Sequence, residues 1–258
     1  MVKIIDTHTH LYLKEFDDDF DQVIEKSSQI GVEKFIFPSI HSKYNNRMIS
    51  SYNKNKSIFE IMAGLHPAYV TNDNKKELDL VIHNLNNYKC IAIGEIGIDL
   101  YWEKKYFEQQ KIIFEKQINI AIDNDLPIVI HCREAFDEIY TILLKYKSKN
   151  LKGVFHCFTG NEEQANKVCD LNFKLGIGGV VTFKNGGLDK YLSKISIDNI
   201  VLETDSPYLA PSPYRGKRNE SSYLIYILNK LSEIYQLDNN SIAYSTTKNA
   251  FDIFNFDK

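Results

Sequence analysis

Cysteine is scarce in this sequence, and no run of apolar residues is long enough to cross a membrane. The four cysteines, Cys90, Cys132, Cys157 and Cys169, form no CxxC pair and no closely spaced framework. This pattern excludes a disulfide-rich scaffold and a cysteine-based structural zinc module. The first residues, MVKIIDTHTH, also lack the charged start, apolar core and cleavage site of a signal peptide. We therefore expect a soluble, cytoplasmic protein with reduced thiols and no membrane partner.

An excess of basic charge is also missing. Lysine and arginine together number 31, and aspartate and glutamate number 34, which gives a formal net charge of -3. Because long-range attraction of nucleic acid depends on clustered lysine and arginine, this composition excludes a broad phosphate-binding surface. Any contact with nucleic acid must then be local. The sequence leaves the oligomeric state open, with a monomer as the expectation.

Linkers, low-complexity stretches and internal repeats are absent as well, so 258 residues with 43% hydrophobic content predict one domain over 1–258. What the sequence does contain is a series of short runs rich in isoleucine, valine and phenylalanine. These runs are nearly continuous rather than alternating, which is typical of parallel strands buried on both faces. The candidate strands are 2–5, 32–37, 58–62, 90–93, 126–130, 152–155, 173–177 and 199–202.

Amphipathic stretches lie between most of these runs. The clearest covers 104–124, where Phe107, Phe114 and Ile118 recur at helical spacing among polar side chains. Eight strands alternating with helices in about 250 residues predict an α/β fold of the (β/α)₈ TIM-barrel type, with an open doubly wound sheet as the alternative. The other predicted helices are 15–30, 75–87, 134–147 and 160–171, followed by two C-terminal closing helices at 220–236 and 239–254.

Residues that can bind metal follow the ends of these strands. Six of the seven histidines, all but His83, come just after an apolar run, as do two acidic residues. Because the strand carboxyl ends form one rim of a barrel, these side chains are expected to converge there. A buried cluster of histidines and acids needs a cation to neutralise and order it, and imidazole and carboxylate suit zinc, manganese or cobalt. The candidate ligands are His8, His10, Glu95, His131, His156 and Asp205.

Two details support the prediction of a metal site, and the second of them favours two cations. His8 and His10 are two residues apart in an extended segment, which directs both imidazoles to one side of the strand. Glu95 lies on a middle strand between the two histidine pairs and is suited to bridging two metals.

Structural roles are the competing interpretation of these residues. A single histidine at a strand end is more often a hydrogen-bonded structural residue, and we keep this interpretation for His41 and for His83, which lies on a predicted helix. The joint pattern of histidines and acids is much harder to obtain from satisfied core polar groups. Cys132 and Cys157 directly follow two candidate ligands, and we expect their thiols to pack behind the site.

Six segments stand out as motifs: DTHTHL (6–11), GLHP (64–67), GEIGID (94–99), LPIVIHCREAFDE (126–138), HCFTG (156–160) and ETDSPYLAPSPYRGKRNE (203–220). Together they resemble the TatD family of metal-dependent deoxyribonucleases, within the amidohydrolase superfamily. The match spans the chain in order, and its last motif is long and specific. One departure is Ser221, which stands where the family usually has proline after this motif. That position bears on loop geometry more than on catalysis.

The resemblance implies a TIM barrel and a two-metal phosphodiesterase that acts on DNA as a 3'-to-5' exonuclease. Carried over by position, one divalent cation is held by His8, His10, Glu95 and Asp205, and the other by Glu95, His131 and His156. The cations are expected to be Mg²⁺, Mn²⁺ or Zn²⁺. His66, in the GLHP segment, is implied to lie beside the metals, where it contacts substrate or supports a ligand.

Further roles follow from a two-metal reaction on a phosphodiester. Asp205 is a candidate general base for the attacking water, with a purely structural ligand role as the alternative. Arg133 and Arg215 are candidate phosphate clamps, because guanidinium pairs with phosphate in a bidentate fashion. Tyr208 and Trp102 follow strands and are candidates for stacking on a base, while packing at the barrel rim is the competing interpretation. The expected partner is a DNA strand end, bound through local contacts.

Two rival functions remain open. The same barrel hosts small-molecule amidohydrolases that act on amides, lactones or phosphotriesters, and a fold does not fix a function. Many such relatives carry a carbamylated lysine on the fourth strand, where this chain has Glu95, and the RGKRNE loop favours a substrate that bears phosphate. A non-enzymatic barrel would be marked by lost ligands, yet all six are present.

Overall fold

The computed structural model describes residues 3–102 and 104–256, so residue 2 of the first predicted strand lies outside the described residues. In the described part of the chain, eight strands pair side by side, all in parallel and in sequence order. This order confirms the predicted (β/α)₈ barrel. The strands are β1 (Ile4–Asp6), β2 (Val32–Phe37), β3 (Phe59–Ala63), β4 (Cys90–Asp99), β5 (Ile128–Arg133), β6 (Gly153–Phe155), β7 (Phe173–Ile177) and β8 (Ile200–Leu202).

Amphipathic helices follow most of the strands. The helices are α1 (Phe20–Gln29), α2 (Ser42–Lys54), α3 (Lys75–Asn87), α4 (Phe107–Asp123), α5 (Phe136–Leu144), α6 (Glu162–Asp170), α7 (Leu224–Tyr235) and α8 (Asn239–Phe254). The predicted bounds of α3 and α8 agree with the structure. α2 is not among the predicted helices, because its sequence, SKYNNRMISSYNK, is polar apart from a narrow apolar stripe.

The connection from β7 to β8 has no α-helix in residues 178–199, all of which are described. Four short 3₁₀ turns fill it instead, at Gly179–Thr182, Leu188–Lys190, Leu192–Lys194 and Ile197–Asn199. α7 packs against the first of these turns and α8 against β8. The two closing helices therefore cover the side of the barrel that the missing helix leaves open.

The barrel interior is filled by apolar side chains that alternate along the strands. One buried cluster takes residues from β1 to β6 and from β8, and the end of α8 packs on it. Their strand neighbours, such as Ile128 and Ile130 on either side of Val129, belong to the cluster that packs against the helices. Alternate positions therefore face inward. The strand residues of the interior cluster are Ile5, Ile36, Met62, Ile91, Ala92, Val129, Val154 and Val201.

The barrel closes where the end of β1 meets the segment after β8. The Thr7 N–H donates to the Leu202 carbonyl at 3.0 Å, and the Asp205 N–H donates to the His8 carbonyl at 2.9 Å. This seam joins the two ends of the sheet at the rim where the strands terminate. Two candidate ligands, His8 and Asp205, are thereby fixed to each other through their backbones.

A fully buried carboxylate, Asp6, reinforces the seam. It accepts hydrogen bonds from the Thr204 N–H at 2.9 Å, the Thr204 hydroxyl at 2.7 Å and the Ser221 hydroxyl at 2.6 Å. Ser221, the departure from the family pattern, thus links the start of the closing helices to β1.

Asp6 should make stability depend on pH. Burial raises its pKa from 3.8 to about 7, against the opposing effect of the bonds from Ser221 and Thr204. The folded state therefore binds a proton more tightly than the unfolded state. Stability from this group is fully present below about pH 4 and is lost as the pH rises to about 7.

We expect Asp6→Asn to flatten the pH dependence of the unfolding free energy between about pH 4 and 7, by up to roughly 4 kcal/mol. The check is urea unfolding at a series of pH values, with chelator present. Asp18→Asn, at an exposed carboxylate, serves as the control. Parallel stability curves for the wild type and Asp6→Asn would show that Asp6 is not the titrating group.

Candidate metal centre

The candidate metal centre lies on the inward face of the barrel, at the rim where the strands end. Val129 and Val154 face the interior, and the next inward positions on their strands are His131 and His156. Glu95 lies inside β4, because that strand continues well beyond the predicted run 90–93. The alternation of inward-facing positions along the strands thus fills the barrel core and also directs candidate ligands into the centre at the rim.

One oxygen of Glu95 faces three imidazoles. The Glu95 side chain is buried, and its Oε1 lies 2.9 Å from Nδ1 of His131, 3.0 Å from Nε2 of His156 and 3.3 Å from Nε2 of His66. His66 is therefore about as close to this carboxylate as the two predicted ligands are. From the sequence it was expected only beside the metals.

The other oxygen of Glu95 faces the HxH pair. Its Oε2 lies 3.3 Å from Nε2 of His8 and 3.7 Å from Nε2 of His10. Asp205 approaches the same pair, with Oδ1 at 3.4 Å from Nε2 of His10 and 3.7 Å from Nε2 of His8. The two histidine nitrogens are themselves 3.3 Å apart. All six predicted ligands therefore converge.

Three overlapping groups in the described part of the chain have possible ligand atoms within 4.8 Å of one another. Glu95 belongs to two of them, as a bridging ligand would. His156 falls in a group with His8, against which its ring stacks at 3.8 Å, although the sequence assigned the two to different metals. The groups are His8, His10 and Glu95; His66, Glu95 and His131; and His8, His156 and Asp205.

The protonation of His10 indicates that this donor set fits a cation. Its Nδ1 lies 3.0 Å from the Tyr12 hydroxyl, which donates its own proton to the Pro38 carbonyl at 2.7 Å. Nδ1 of His10 must then be the donor to Tyr12, so Nε2 is the nitrogen that faces the oxygens of Glu95 and Asp205. Two ionised carboxylates beside this nitrogen call for a shared cation between them, either a proton on Nε2 or a divalent metal that takes its lone pair.

The pKa values of the two carboxylates and of His8 and His66 favour the forms that bind metal. Burial by itself would raise the pKa of Glu95, but His66, His156 and His8 outweigh it and hold that pKa well below its usual range. Burial likewise raises the pKa of Asp205, yet the bond from His10 and the nearby histidines leave it lowered. Burial lowers the pKa values of His8 and His66. Ionised carboxylates and neutral imidazoles are the ligand forms of these residues.

The pKa values of His131 and His156 are raised instead, because their carboxylate neighbours outweigh the effect of burial. These neighbours are Asp99 and Glu95 for His131, and Glu95 and Glu203 for His156. A cation would therefore have to displace a proton at these two histidines.

Three buried residues that support the candidate ligands were missed from the sequence. Tyr12 orders His10, as described above. Asp99 lies with Oδ2 at 2.8 Å from Nε2 of His131, and Glu203 lies with Oε1 at 3.3 Å from Nδ1 of His156. Asp99 and Glu203 lie in the GEIGID and ETDSPY motifs, so their place in these motifs was the only sequence signal for a role at the site. Their partners, His131 and His156, come from other strands and could not be predicted from sequence.

Two buried glutamines on one face of α4 hold strand ends beside the centre. Gln117 accepts from the Leu65 N–H at 2.7 Å and donates to the Leu65 carbonyl at 3.1 Å, next to His66. Gln110 accepts from the Asp99 N–H at 2.8 Å and donates to the Asp99 carbonyl at 3.2 Å. Each side-chain amide bonds to both the N–H and the carbonyl of one backbone residue, as a neighbouring strand would. The ends of β3 and β4 are thus fixed to the helix.

A cleft with a volume of about 530 Å³ opens above the centre. His66, Arg133 and Tyr208 of the predicted substrate contacts line it, as does Trp102. The Tyr208 side chain is 52% exposed and that of Trp102 is 74% exposed, so both rings are accessible to a bound molecule.

Other predicted contacts lie elsewhere. Among the described residues that line the cleft, Arg215 is not found; its guanidinium lies over the Phe183 ring at 4.5 Å. Cys132 and Cys157 line the cleft wall instead of packing behind the site. Burial raises the pKa of Cys132 to about 12 and that of Cys157 well above its usual value, which keeps both thiols protonated.

His41 has the structural role expected for it. Its Nδ1 accepts the Lys43 N–H at 3.0 Å and so caps the start of α2. Helix caps of this kind come from serine, threonine, aspartate or asparagine more often than from histidine, which explains why this helix start gave no signal.

Within residues 3–102 and 104–256, no helix is both long enough and apolar enough to span a bilayer.

Comparison with known proteins gives consistent matches along the whole chain. A family model described as TatD related DNase matches residues 5–255. The metal-dependent hydrolase YabD of Bacillus subtilis, whose function is uncharacterised, is 35% identical, over 97% of this chain and 98% of that protein. The 3'-5' ssDNA/RNA exonuclease TatD of Pectobacterium parmentieri is 28% identical, over 97% of this chain and 99% of its own.

The fold agrees with that of a solved relative. The crystal structure of YjjV, a TatD homologue from Escherichia coli, superimposes with a TM-score of 0.89 at 26% identity, covering 98% of each chain. Fold, motif order and family model therefore lead to one assignment. The chain belongs to the TatD family and is a metal-dependent hydrolase.

Proposed function

We propose that this hydrolase is a two-metal phosphodiesterase that removes nucleotides from the 3' end of single-stranded DNA, with residues 1–258 acting as one catalytic domain. The observation that carries the proposal is the position of Glu95. One of its oxygens faces His66, His131 and His156, and the other faces His8 and His10. A carboxylate with a separate set of imidazoles at each oxygen is arranged to bridge two cations.

In this proposal His8, His10, Glu95 and Asp205 hold one divalent cation. When bound, two such cations supply Lewis acidity, which makes a water nucleophilic near neutral pH and neutralises charge on the phosphate. Mg²⁺, Mn²⁺ and Zn²⁺ are the candidates. His131 and His156, together with Glu95, would hold the second cation, and His66 would be available to that cation or to the scissile phosphate. The lowered pKa of His66, caused by burial, keeps this imidazole neutral.

Asp205 is the proposed general base. Its carboxylate is ionised, because His10 and the other histidines outweigh the effect of burial on its pKa. Its side chain lines the cleft and is 14% exposed, so a water beside the HxH pair is within its reach. Proton transfer to a carboxylate positioned in this way contributes typically 10²- to 10⁴-fold to a rate.

The proposed substrate contacts surround the cleft. Arg133 at the cleft wall is the candidate phosphate clamp, and the exposed rings of Tyr208 and Trp102 are candidates for base stacking. Arg215 can take part only at a phosphate outside the cleft. A cleft of this size at the barrel rim admits a strand end more readily than the middle of a duplex, in keeping with the exonuclease name of the Pectobacterium relative.

One observation favours the rival small-molecule substrate. Ile40, Val180 and Leu209 also line the cleft and give part of it an apolar wall. Pockets for small molecules are lined mainly by such side chains. Release of nitrophenol from phosphotriester and lactone analogues, compared with release of nucleotides from an oligonucleotide, separates the two functions.

Chelation should abolish hydrolysis, because every proposed step depends on bound cations. The measurement is shortening of a 5'-labelled single strand, with a strand whose 3' end is protected by phosphorothioates as the control. We expect no shortening after chelation and recovery with Mg²⁺, Mn²⁺ or Zn²⁺. Full activity after verified metal removal would refute the mechanism.

Asp205→Asn should lower single-turnover cleavage by about 10²-fold or more at saturating metal, because it removes the basicity and keeps one coordinating oxygen. Thermal melting should barely change, since the substitution creates no cavity and asparagine tolerates the positive φ of 58° at this position. Asp125→Asn is the matched control, at an exposed aspartate with a φ of 51°. A near-normal rate for Asp205→Asn would remove Asp205 from the mechanism.

A further inference from the structure

We propose that Asp99 is a positioning residue that serves the metal centre and the cleft wall at once, one with each carboxylate oxygen. The proposal rests on the metal role given above to His131. Asp99 is fully buried at the end of β4. Among the described residues, its side chain makes no hydrogen bond to His8, His10 or Asp205. Its action must therefore pass through its neighbours.

The Oδ2 oxygen sets the protonation of His131. It lies 2.8 Å from Nε2 of His131, and an ionised carboxylate can only accept, so Nε2 carries the proton. Nδ1 of His131, at 2.9 Å from Oε1 of Glu95, is left as the nitrogen whose lone pair can bind a cation. A carboxylate that accepts from the far nitrogen of a histidine ligand fixes both the tautomer and the ring plane.

The Oδ1 oxygen fixes the loop that forms one side of the cleft. It accepts the Tyr101 N–H at 2.9 Å and the Trp102 N–H at 2.7 Å. The Tyr101 ring packs edge to face against Trp102 at 4.8 Å and lies under the Arg133 guanidinium at 4.8 Å. The aromatic and cationic groups at this wall thus depend on the same carboxylate as the metal centre.

Asp99 can hold both neighbours because its own backbone is fixed. Gln110 bonds to its N–H and its carbonyl, and Asp99 pairs with Arg133 across β4 and β5. A short side chain on a fixed backbone leaves little freedom at either oxygen. Asp99 thereby fixes the position of the cleft wall relative to His131. A substrate bound at the wall is then held at a fixed distance from the cation site.

Asp99→Asn separates the two roles. The amide oxygen can still accept the Tyr101 and Trp102 N–H groups, so the NH₂ group turns to His131. Nε2 of His131 must then accept, its proton moves to Nδ1, and the nitrogen that should bind the cation is blocked. Asp99→Ala removes both roles. Asp73→Asn is the matched control, because Asp73 also accepts a backbone N–H, from Lys75 at the start of α3, outside the cleft.

Trp102 is the single tryptophan of the chain, so its fluorescence reports the loop directly. We expect Asp99→Asn to weaken Mn²⁺ or Zn²⁺ binding, measured by calorimetry, by about 10- to 100-fold while the acrylamide quenching and anisotropy of Trp102 stay at wild-type values. Asp99→Ala should weaken metal binding and also make Trp102 more mobile and more accessible to acrylamide. Wild-type metal affinity in Asp99→Asn, or a Trp102 signal that changes as in Asp99→Ala, would overturn the proposal.

The proposed function and the role of Asp99 fail in different ways. A wild-type protein that binds no divalent cation contradicts the metal mechanism. Tight wild-type binding that Asp99→Asn leaves unchanged contradicts only the role of Asp99. Should the variants fail to fold, nitrogen-15 NMR of the metal-loaded wild type decides: His131 protonated at Nε2 supports the proposal, and His131 protonated at Nδ1 overturns it.

Discussion

The burial of one ionised carboxylate, Glu95, among histidines governs the design of this protein. A charge in the interior of a barrel strongly opposes folding unless partners neutralise it and complete its hydrogen bonds. Five imidazoles within 3.7 Å of its oxygens, contributed by four different strand ends, do so here. The same arrangement leaves histidine nitrogens directed at one another and at acids. What stabilises the charge therefore also forms a site suited to divalent cations.

A single structural rule joins the core to the site. Inward positions recur every second residue, so Val129 and Val154 fill the barrel and His131 and His156 follow them at its rim. Backbone conformation changes where the core ends: Cys157 and Asp205 have φ angles of 46° and 58°, which few residues other than glycine adopt. Such conformations persist only where the surroundings enforce them, as the seam between β1 and β8 does for Asp205.

Much of the fold and the convergence of six residues could be predicted from the sequence, because buried parallel strands are continuous apolar runs and barrel strand ends share a rim. The extension of β4 past Glu95 could not, since glycines and a charged residue interrupt its apolar run. Asp99 and Glu203 escaped notice because their partners lie on neighbouring strands. Arg215 was expected at the cleft, but it lies in a loop, where no strand rule fixes the direction of a side chain.

The two glutamines of α4 tie the site to an element that does not itself line the cleft. Gln110 and Gln117 are seven residues apart, about two helical turns, and each forms hydrogen bonds to the end of a different strand. The separation of His66 from Asp99 is therefore set by a count of residues in a helix on the outside of the barrel. One residue inserted between the glutamines would turn one amide by about 100° and release its strand end. The length of this helical segment is thus as much a determinant of the reaction centre as the identity of any ligand.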